Sequence, residues 1–365
     1  MKKTIILFPG HFSPIHIGHL MMALSAYNIL NARKVIFLPS YQVNDGTSFL
    51  DRFRMIKSGI EDYGLENEKF SISSYFHKDD SMADLVAYFK RKFPDDRLII
   101  LLGEDQLNDF FSQKGIDKVS YLSSVYYVPR DGSFDSGLER KYLIHKLPLY
   151  KMPMNSAEIR LGKELYTTEK VLNYIGENRL YFCKDIAAHM KESRYLHSLS
   201  VAKTAYKIAY HNPALEIEPY LAFQAGIFHD CGKDLPVEEQ RKIVNIYFPS
   251  YLPCPDFALH QFVGKYIAET HFGIDKEEIL SSIMYHCTGR MEMTQLEKLI
   301  YAADKVEPTR QFETRKCRLA CYDNLDKGFI KTIMDQKRYF EKNGIPFMEH
   351  ELSRQMYEGY LKEEK

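Results

Sequence analysis

The stretch IILFPGHFSPIHIGHL, residues 5–20, runs from a short apolar segment through a glycine, two prolines and three histidines straight into a helical pattern. Taken as strand, turn and helix, it sets the class of the first half of the chain. TIILF (4–8), KVIFLP (34–39), KFSISS (69–74), RLIILLG (97–103) and SSVYYVPR (123–130) have the composition of strands. LMMALSAYNIL (20–30), FLDRFRMIKSGIEDYG (49–64) and SMADLVAYFKRKF (81–93) have helical spacing and lie between them. The alternation predicts a doubly wound parallel sheet, a Rossmann-like α/β domain over residues 1–182. In such a sheet the ligand crevice lies beyond the carboxyl ends of the strands, where the opening stretch sits.

From residue 183 onward the apolar residues recur three and four apart and no run alternates with period two, which predicts an all-α domain over 183–365. With 365 residues and 45% hydrophobic content, the chain is long enough for two cores. A formal net charge of zero excludes a general nucleic-acid footprint, so no nucleic acid is expected as partner. The apolar run at the start is broken by Pro9 and Gly10, too early for a signal or membrane segment, so no membrane association is expected. All six cysteines fall in the second half without a C-x-x-C pair, as reduced thiols in a cytoplasmic chain would.

Gly10 and Pro14 are expected to hold a turn after the first strand. His16-x-Gly-His19 then begins a helix, where unpaired backbone N–H groups and the dipole favour an anion. Two imidazoles on one face can donate to a polyphosphate, with Gly18 letting the ligand approach the backbone. This half resembles the H-x-G-H nucleotidyltransferases, and among them the bacterial nicotinate-nucleotide adenylyltransferases, through LLGEDQL (101–107), NSAEIR (155–160) and VLNYIGENRLY (171–181) as well. The resemblance implies that His16, His19, Ser156 and Arg160 hold the phosphates of ATP, accompanied by Mg²⁺. It places Gly103 and Asp105 near the ribose and makes nicotinate mononucleotide the acceptor. PSYQVNDGTS (39–48) and DDSMADL (79–85) depart from the family's acceptor segments, which predicts weak or absent transfer to nicotinate mononucleotide with ATP binding kept.

In the second half FHDCGK (228–233) sets His229 beside Asp230 at the end of an apolar helix, and His197, His260, His286 and Asp304 fall on other helical segments. Singly each would be a core residue. Together, four imidazoles and two carboxylates turned inward are costly to bury unless they bind metal. The pattern resembles the HD-domain phosphohydrolases, and closely the branch that cleaves diadenosine tetraphosphate symmetrically. RYLHSLSVA (194–202), AGIFHDCGK (225–233), LH (259–260), HCTGRMEM (286–293) and LIYAADKVEPTR (299–310) carry the likeness. It implies that His197, His229, Asp230 and Asp304 bind one metal, and that His260 and His286 bind a second, bridged by Asp230. The ligand set suits Fe, Mn, Co or Zn, and the resemblance suggests iron.

Lys233 is expected to reach a bound phosphate, and Arg194, Arg290 and Arg310 are expected either as further clamps on it or in ordinary surface salt bridges. The chain is thus expected to be a bifunctional enzyme acting on ATP, nicotinate mononucleotide and diadenosine polyphosphates, for which a homodimer is an allowed assembly. A competing expectation makes the first domain a non-catalytic nucleotide sensor that regulates a hydrolase of another nucleotide.

Overall fold

The computed structural model describes all residues except 1–2, 42, 67, 74, 76–80, 131–133, 152, 311–312, 347 and 363–365. Part of three quoted segments, PSYQVNDGTS, KFSISS and DDSMADL, lies outside the described residues. Six strands, β1 (Thr4–Gly10), β2 (Ala32–Pro39), β3 (Phe70–Ile72), β4 (Arg97–Gly103), β5 (Ser124–Val128) and β6 (His145–Lys146), form a parallel sheet in the order β3-β2-β1-β4-β5-β6. Ile6 of β1 pairs with Val35 on one side and Ile99 on the other. The chain steps outward through β2 to β3 and then returns to the far side of β1, so the winding reverses between β1 and β4. That reversal opens a crevice at the carboxyl ends of these two strands, where Gly10 and Gly103 stand.

The helices of this half are α1 (Ile17–Ile29), α2 (Phe49–Asp62), α3 (Met82–Lys92), α4 (Leu107–Phe111), α5 (Ile116–Leu122), α6 (Ser136–Tyr142), α7 (Ser156–Arg160) and α8 (Glu169–Glu177). Ile5, Leu7, Leu98, Ile100 and Leu102 join Val86 and Phe89 of α3 in one buried cluster. Helix α1 starts at Ile17 rather than at residue 20, because His16 already caps it. The short elements α4 to α7 and the two-residue β6 carry too few residues for a period to register.

The second half is helical throughout its described residues: α9 (Phe182–His189), α10 (Glu192–His211), α11 (Pro219–Phe228), α12 (Val237–Tyr247), α13 (Asp256–Thr270), α14 (Glu277–Tyr285), α15 (Gln295–Val306), α16 (Arg315–Asp323), α17 (Leu325–Asn343) and α18 (Glu351–Lys362). None is long and apolar enough to cross a membrane. Helices α10 and α11 touch backbone to backbone: a Cβ on Gly226 would lie 2.7 Å from Ala202 Cα. After α11 the turn runs equally close to α13, where a Cβ on Gly232 would lie 2.6 Å from the Gly264 nitrogen. These two approaches press residues 229 and 230 against α10 and α13.

By contacts the chain divides into residues 1–160 with 166–174, and residues 161–165 with 175–365. The segment before residue 183 thus contributes to the helical unit. Gly176 accepts a 2.6 Å hydrogen bond from the Tyr195 hydroxyl, and Gly162 accepts one of the same length from the Gln224 amide.

Candidate functional site

A cavity of about 490 Å³ opens at the β1/β4 crevice, built wholly from the first unit. Gly10, His19, Gly103, Asp105, Ser156 and Arg160 line it, as do His11, Asp45 and Arg130, which the sequence did not single out. His16 Nδ1 accepts the His19 N–H at 3.4 Å, and His19 Nδ1 accepts the His16 N–H at 3.3 Å. The rings stack with centroids 3.6 Å apart. Because each Nδ1 is an acceptor, each Nε2 carries the proton, and His19 can present an N–H donor to the cavity. His16 itself does not line the cavity and is 1% exposed; it supports His19.

The glycines serve packing more than ligand approach. A Cβ on Gly18 would lie 3.0 Å from the His16 ring, and one on Gly10 2.9 Å from Phe12. Gly10 ends β1 rather than forming a turn. A Cβ on Gly103 would lie 2.4 Å from Asp105 Oδ1 and 3.1 Å from Arg130. Ser156 Oγ donates to the Pro14 carbonyl at 2.9 Å and Arg160 to the Ser13 carbonyl at 2.7 Å, so α7 is tied to the histidine turn. The fully buried Arg52 donates to the carbonyls of His11 and Tyr41, bracing two walls. Arg130 stands just past β5 with Asp105 3.6 Å away, and its buried Nε has no hydrogen-bond partner among the described residues.

Burial lowers the His16 pKa from 6.5 to about 3 and holds His19 well below the ordinary range, so both rings are neutral. The unfolded chain protonates His16 below pH 6.5, so its contribution to stability is complete above that pH and is lost as the pH falls from 6.5 toward 3. At pH 5.5 the loss is about 1.4 kcal/mol. Thermal or urea melts of the wild type and of His16→Asn, which keeps a capping acceptor, should differ in pH sensitivity by about that amount. Identical pH dependence in the two proteins would show that His16 is not held neutral.

The second unit brings His197, His229, Asp230, His260, His286 and Asp304 together. Asp230 is fully buried at the centre. Its Oδ2 lies 3.8 Å from His197 Nε2 and 3.6 Å from His229 Nε2; its Oδ1 lies 3.5 Å from His260 Nε2 and 3.4 Å from His286 Nε2. Asp304 Oδ1 is 3.1 Å from His197 Nε2 and 3.8 Å from His229 Nε2. His229 Nδ1 bonds the Gly226 carbonyl at 2.6 Å and His286 Nδ1 the Ile283 carbonyl at 2.7 Å, which directs both Nε2 lone pairs inward. His229 Nε2 and Asp230 Oδ1 are buried without a hydrogen-bond partner among the described residues.

Burial lowers His229 to about 3. Burial also pushes the Asp230 carboxyl up, but His229, His286, Lys233 and His260 outweigh it and hold the group well below the carboxylate range. Neutral imidazoles at His229 and His260, the ionised Asp230 carboxylate and the orphaned inward atoms fit a divalent metal. Among the described residues two groups meet the spacing, His197/His229/Asp304 and His229/Asp230/His286, with ligand atoms within 4.8 Å of one another.

Residues 7–165 match the cytidylyltransferase-like family and residues 194–309 the HD domain family. A Mycoplasma genitalium protein named "Probable nicotinate-nucleotide adenylyltransferase/Ap4A hydrolase" is 30% identical over 328 residues, which cover 86% of this chain and 90% of that one. The chain belongs to the adenylyltransferase/Ap4A hydrolase family. Each half also has separate relatives. The symmetrical bis(5'-nucleosyl)-tetraphosphatase of Bacillus subtilis is 34% identical over 44% of this chain and 87% of its own. A probable nicotinate-nucleotide adenylyltransferase of Aquifex aeolicus is 31% identical over 36% of this chain and 79% of its own.

In the second unit, cations ring the acidic centre. Arg194 donates to Asp230 Oδ2 at 2.8 Å, Lys233 reaches the same oxygen at 3.2 Å, Lys305 donates to Asp304 Oδ2 at 2.9 Å, and Arg310 grips the Asp304 carboxylate. Arg290 is engaged elsewhere: it forms a two-pronged pair with the buried Glu297, at 2.9 and 3.1 Å, as a helix-cap support. Lys233, Asp304 and Arg310 also line a cavity of about 440 Å³, together with Gln336, Tyr339 and Phe340. Gln336 Oε1 accepts from the hydroxyls of Tyr301 and Tyr357, which leaves its amide N–H groups as donors. Among the cysteines, Cys231 is buried with its thiol pushed up by burial, and none is a ligand in either group.

Proposed function

We propose that this chain carries two nucleotide chemistries on separate units: metal-dependent symmetrical hydrolysis of diadenosine tetraphosphate to two ADP, and adenylyl transfer from ATP to nicotinate mononucleotide. The hydrolytic assignment rests above all on one observation, the Nε2 atoms of four histidines meeting the two oxygens of a single buried carboxylate, Asp230. Iron is the ion we assign to the centre, in a cytoplasmic chain. Bound there, a pair of divalent ions supplies a water acidified to react at neutral pH and neutralises charge on phosphate oxygens.

The chain's own groups do the rest. Lys233, Arg194 and Arg310 take the remaining phosphate oxygens, and the cavity toward Tyr339 and Phe340 takes one nucleoside. Water forms one P–O bond as the bond to the departing ADP oxygen breaks, and that oxygen gains the proton. Hydrolysis in heavy-oxygen water should give ADP alone, with label in its terminal phosphate. ATP plus AMP as products would overturn the symmetrical assignment.

In the first unit, a phosphate oxygen of the acceptor attacks the α-phosphorus of Mg²⁺-ATP and pyrophosphate leaves. His19 donates Nε2–H to the phosphates, while Arg130 and Arg160 neutralise the charge that develops. Ser156 and His16 hold this arrangement in place, and Gly103 leaves room for Asp105 near the ribose. ATP and nicotinate mononucleotide are its substrates.

A further inference from the structure

Three of the converging imidazoles show what holds the nitrogen that faces away from the centre. His229 and His286 each use a backbone carbonyl, whereas His197 Nδ1 lies 3.2 Å from Glu307 Oε1. A carboxylate in that place differs from a carbonyl in kind: it fixes the tautomer and also makes the imidazole a stronger electron donor. Glu307 is 1% exposed and stands three residues beyond Asp304. Its oxygens are fixed by the Ser200 hydroxyl at 2.6 Å, by the Thr309 N–H at 2.7 Å and by the Thr309 hydroxyl. Arg310, 3.7 Å from Glu307, also donates to the Asp304 carbonyl at 2.8 Å and binds its carboxylate.

We propose that Glu307 is a positioning residue for one ion position only, the one formed by His197, His229 and Asp304, and that the two ions therefore bind with unequal affinity, this position filling first. The inference rests on the metal-centre assignment above. Glu307 sets His197 directly and Asp304 through Arg310, and among the described residues its carboxylate meets His197, Ser200, Thr309 and Arg310 rather than His260 or His286. The favoured position also has carboxylate oxygens from both Asp304 and Asp230, whereas the other has Asp230 Oδ1 with two imidazoles. Higher local negative charge draws the first divalent ion there.

The experiment is titration of the metal-free full chain with Mn²⁺, followed by calorimetry and by the magnetic resonance signal of free Mn²⁺. Wild type should bind two ions in two steps. Glu307→Gln keeps an acceptor but loses the charge, and should weaken the tighter step by about 10-fold; Glu307→Ala should weaken it by about 100-fold. The weaker step should change by less than about threefold. Melting of each metal-free variant is measured alongside. Equal loss at both steps, or a lowered melting temperature with unchanged Mn²⁺ affinity in Glu307→Gln, would overturn the proposal and leave Glu307 as packing. A wild-type chain that binds no Mn²⁺, Fe²⁺ or Co²⁺ would instead overturn the metal-centre assignment on which it rests.

Discussion

Asp230→Ala should remove phosphohydrolysis by at least about a thousandfold, since both ion positions and the charge stabilisation they provide depend on this carboxylate. Among the described residues it is the carboxylate that faces both pairs of histidines, with Oδ2 toward His197 and His229 and Oδ1 toward His260 and His286. Without it the second pair retains only imidazoles, which hold a divalent ion far more weakly than imidazoles joined by a shared anion. Metal content of the purified variant should therefore fall together with turnover. Folding should survive: the cations left behind, Arg194 and Lys233, have side chains 28% and 35% exposed and can be hydrated. Circular dichroism and melting separate a folded, metal-poor protein from a collapsed one. Full metal content with normal turnover would remove Asp230 from the centre.

The sheet was legible because its strands are buried on both faces and read as continuous apolar runs, RLIILLG above all. The histidines and aspartates of the helical unit were legible for the opposite reason. Polar residues interrupt otherwise apolar helix faces, and only convergence on a ligand offsets that cost. What escaped were residues whose role is fixed by contact across long sequence separations. Glu307 reaches His197 over 110 positions, and Arg52 braces His11 over 41. Neither has a local pattern to mark it. Gly18 shows a different limit: its need for a bare Cα was visible, but the sequence could not distinguish a ligand from the His16 ring as the neighbour that required it. Arg130 had a usable signal, a cation just past the carboxyl end of a parallel strand, where the crevice of such a sheet lies.

Arg130→Ala should lower adenylyl transfer by about 10²- to 10³-fold and leave tetraphosphate hydrolysis unchanged. The two histidines of the motif are neutral, so positive charge in the crevice must come from elsewhere, and the cationic side chains lining it are Arg130 and Arg160. Arg160 is already committed to the Ser13 carbonyl and lies 3.7 Å from Asp45. Arg130 is less engaged: Asp105 is 3.6 Å away, and the buried Nε lacks a hydrogen-bond partner among the described residues. An unsatisfied buried donor beside a cavity for triphosphate gains most when phosphate charge builds up, so the loss should fall more on kcat than on KM for ATP. Arg130→Lys should recover only part, since a point charge cannot reproduce the planar fork. Dinucleotide formation, ATP affinity and ADP release from diadenosine tetraphosphate are measured on the same full-length variants. Because every residue lining the crevice belongs to the first unit and every ligand of the metal groups to the second, hydrolysis serves as the internal control. Unchanged transfer in Arg130→Ala would assign the charge to Arg160 and the magnesium ion alone, and a parallel fall in hydrolysis would show that the two chemistries are not separate.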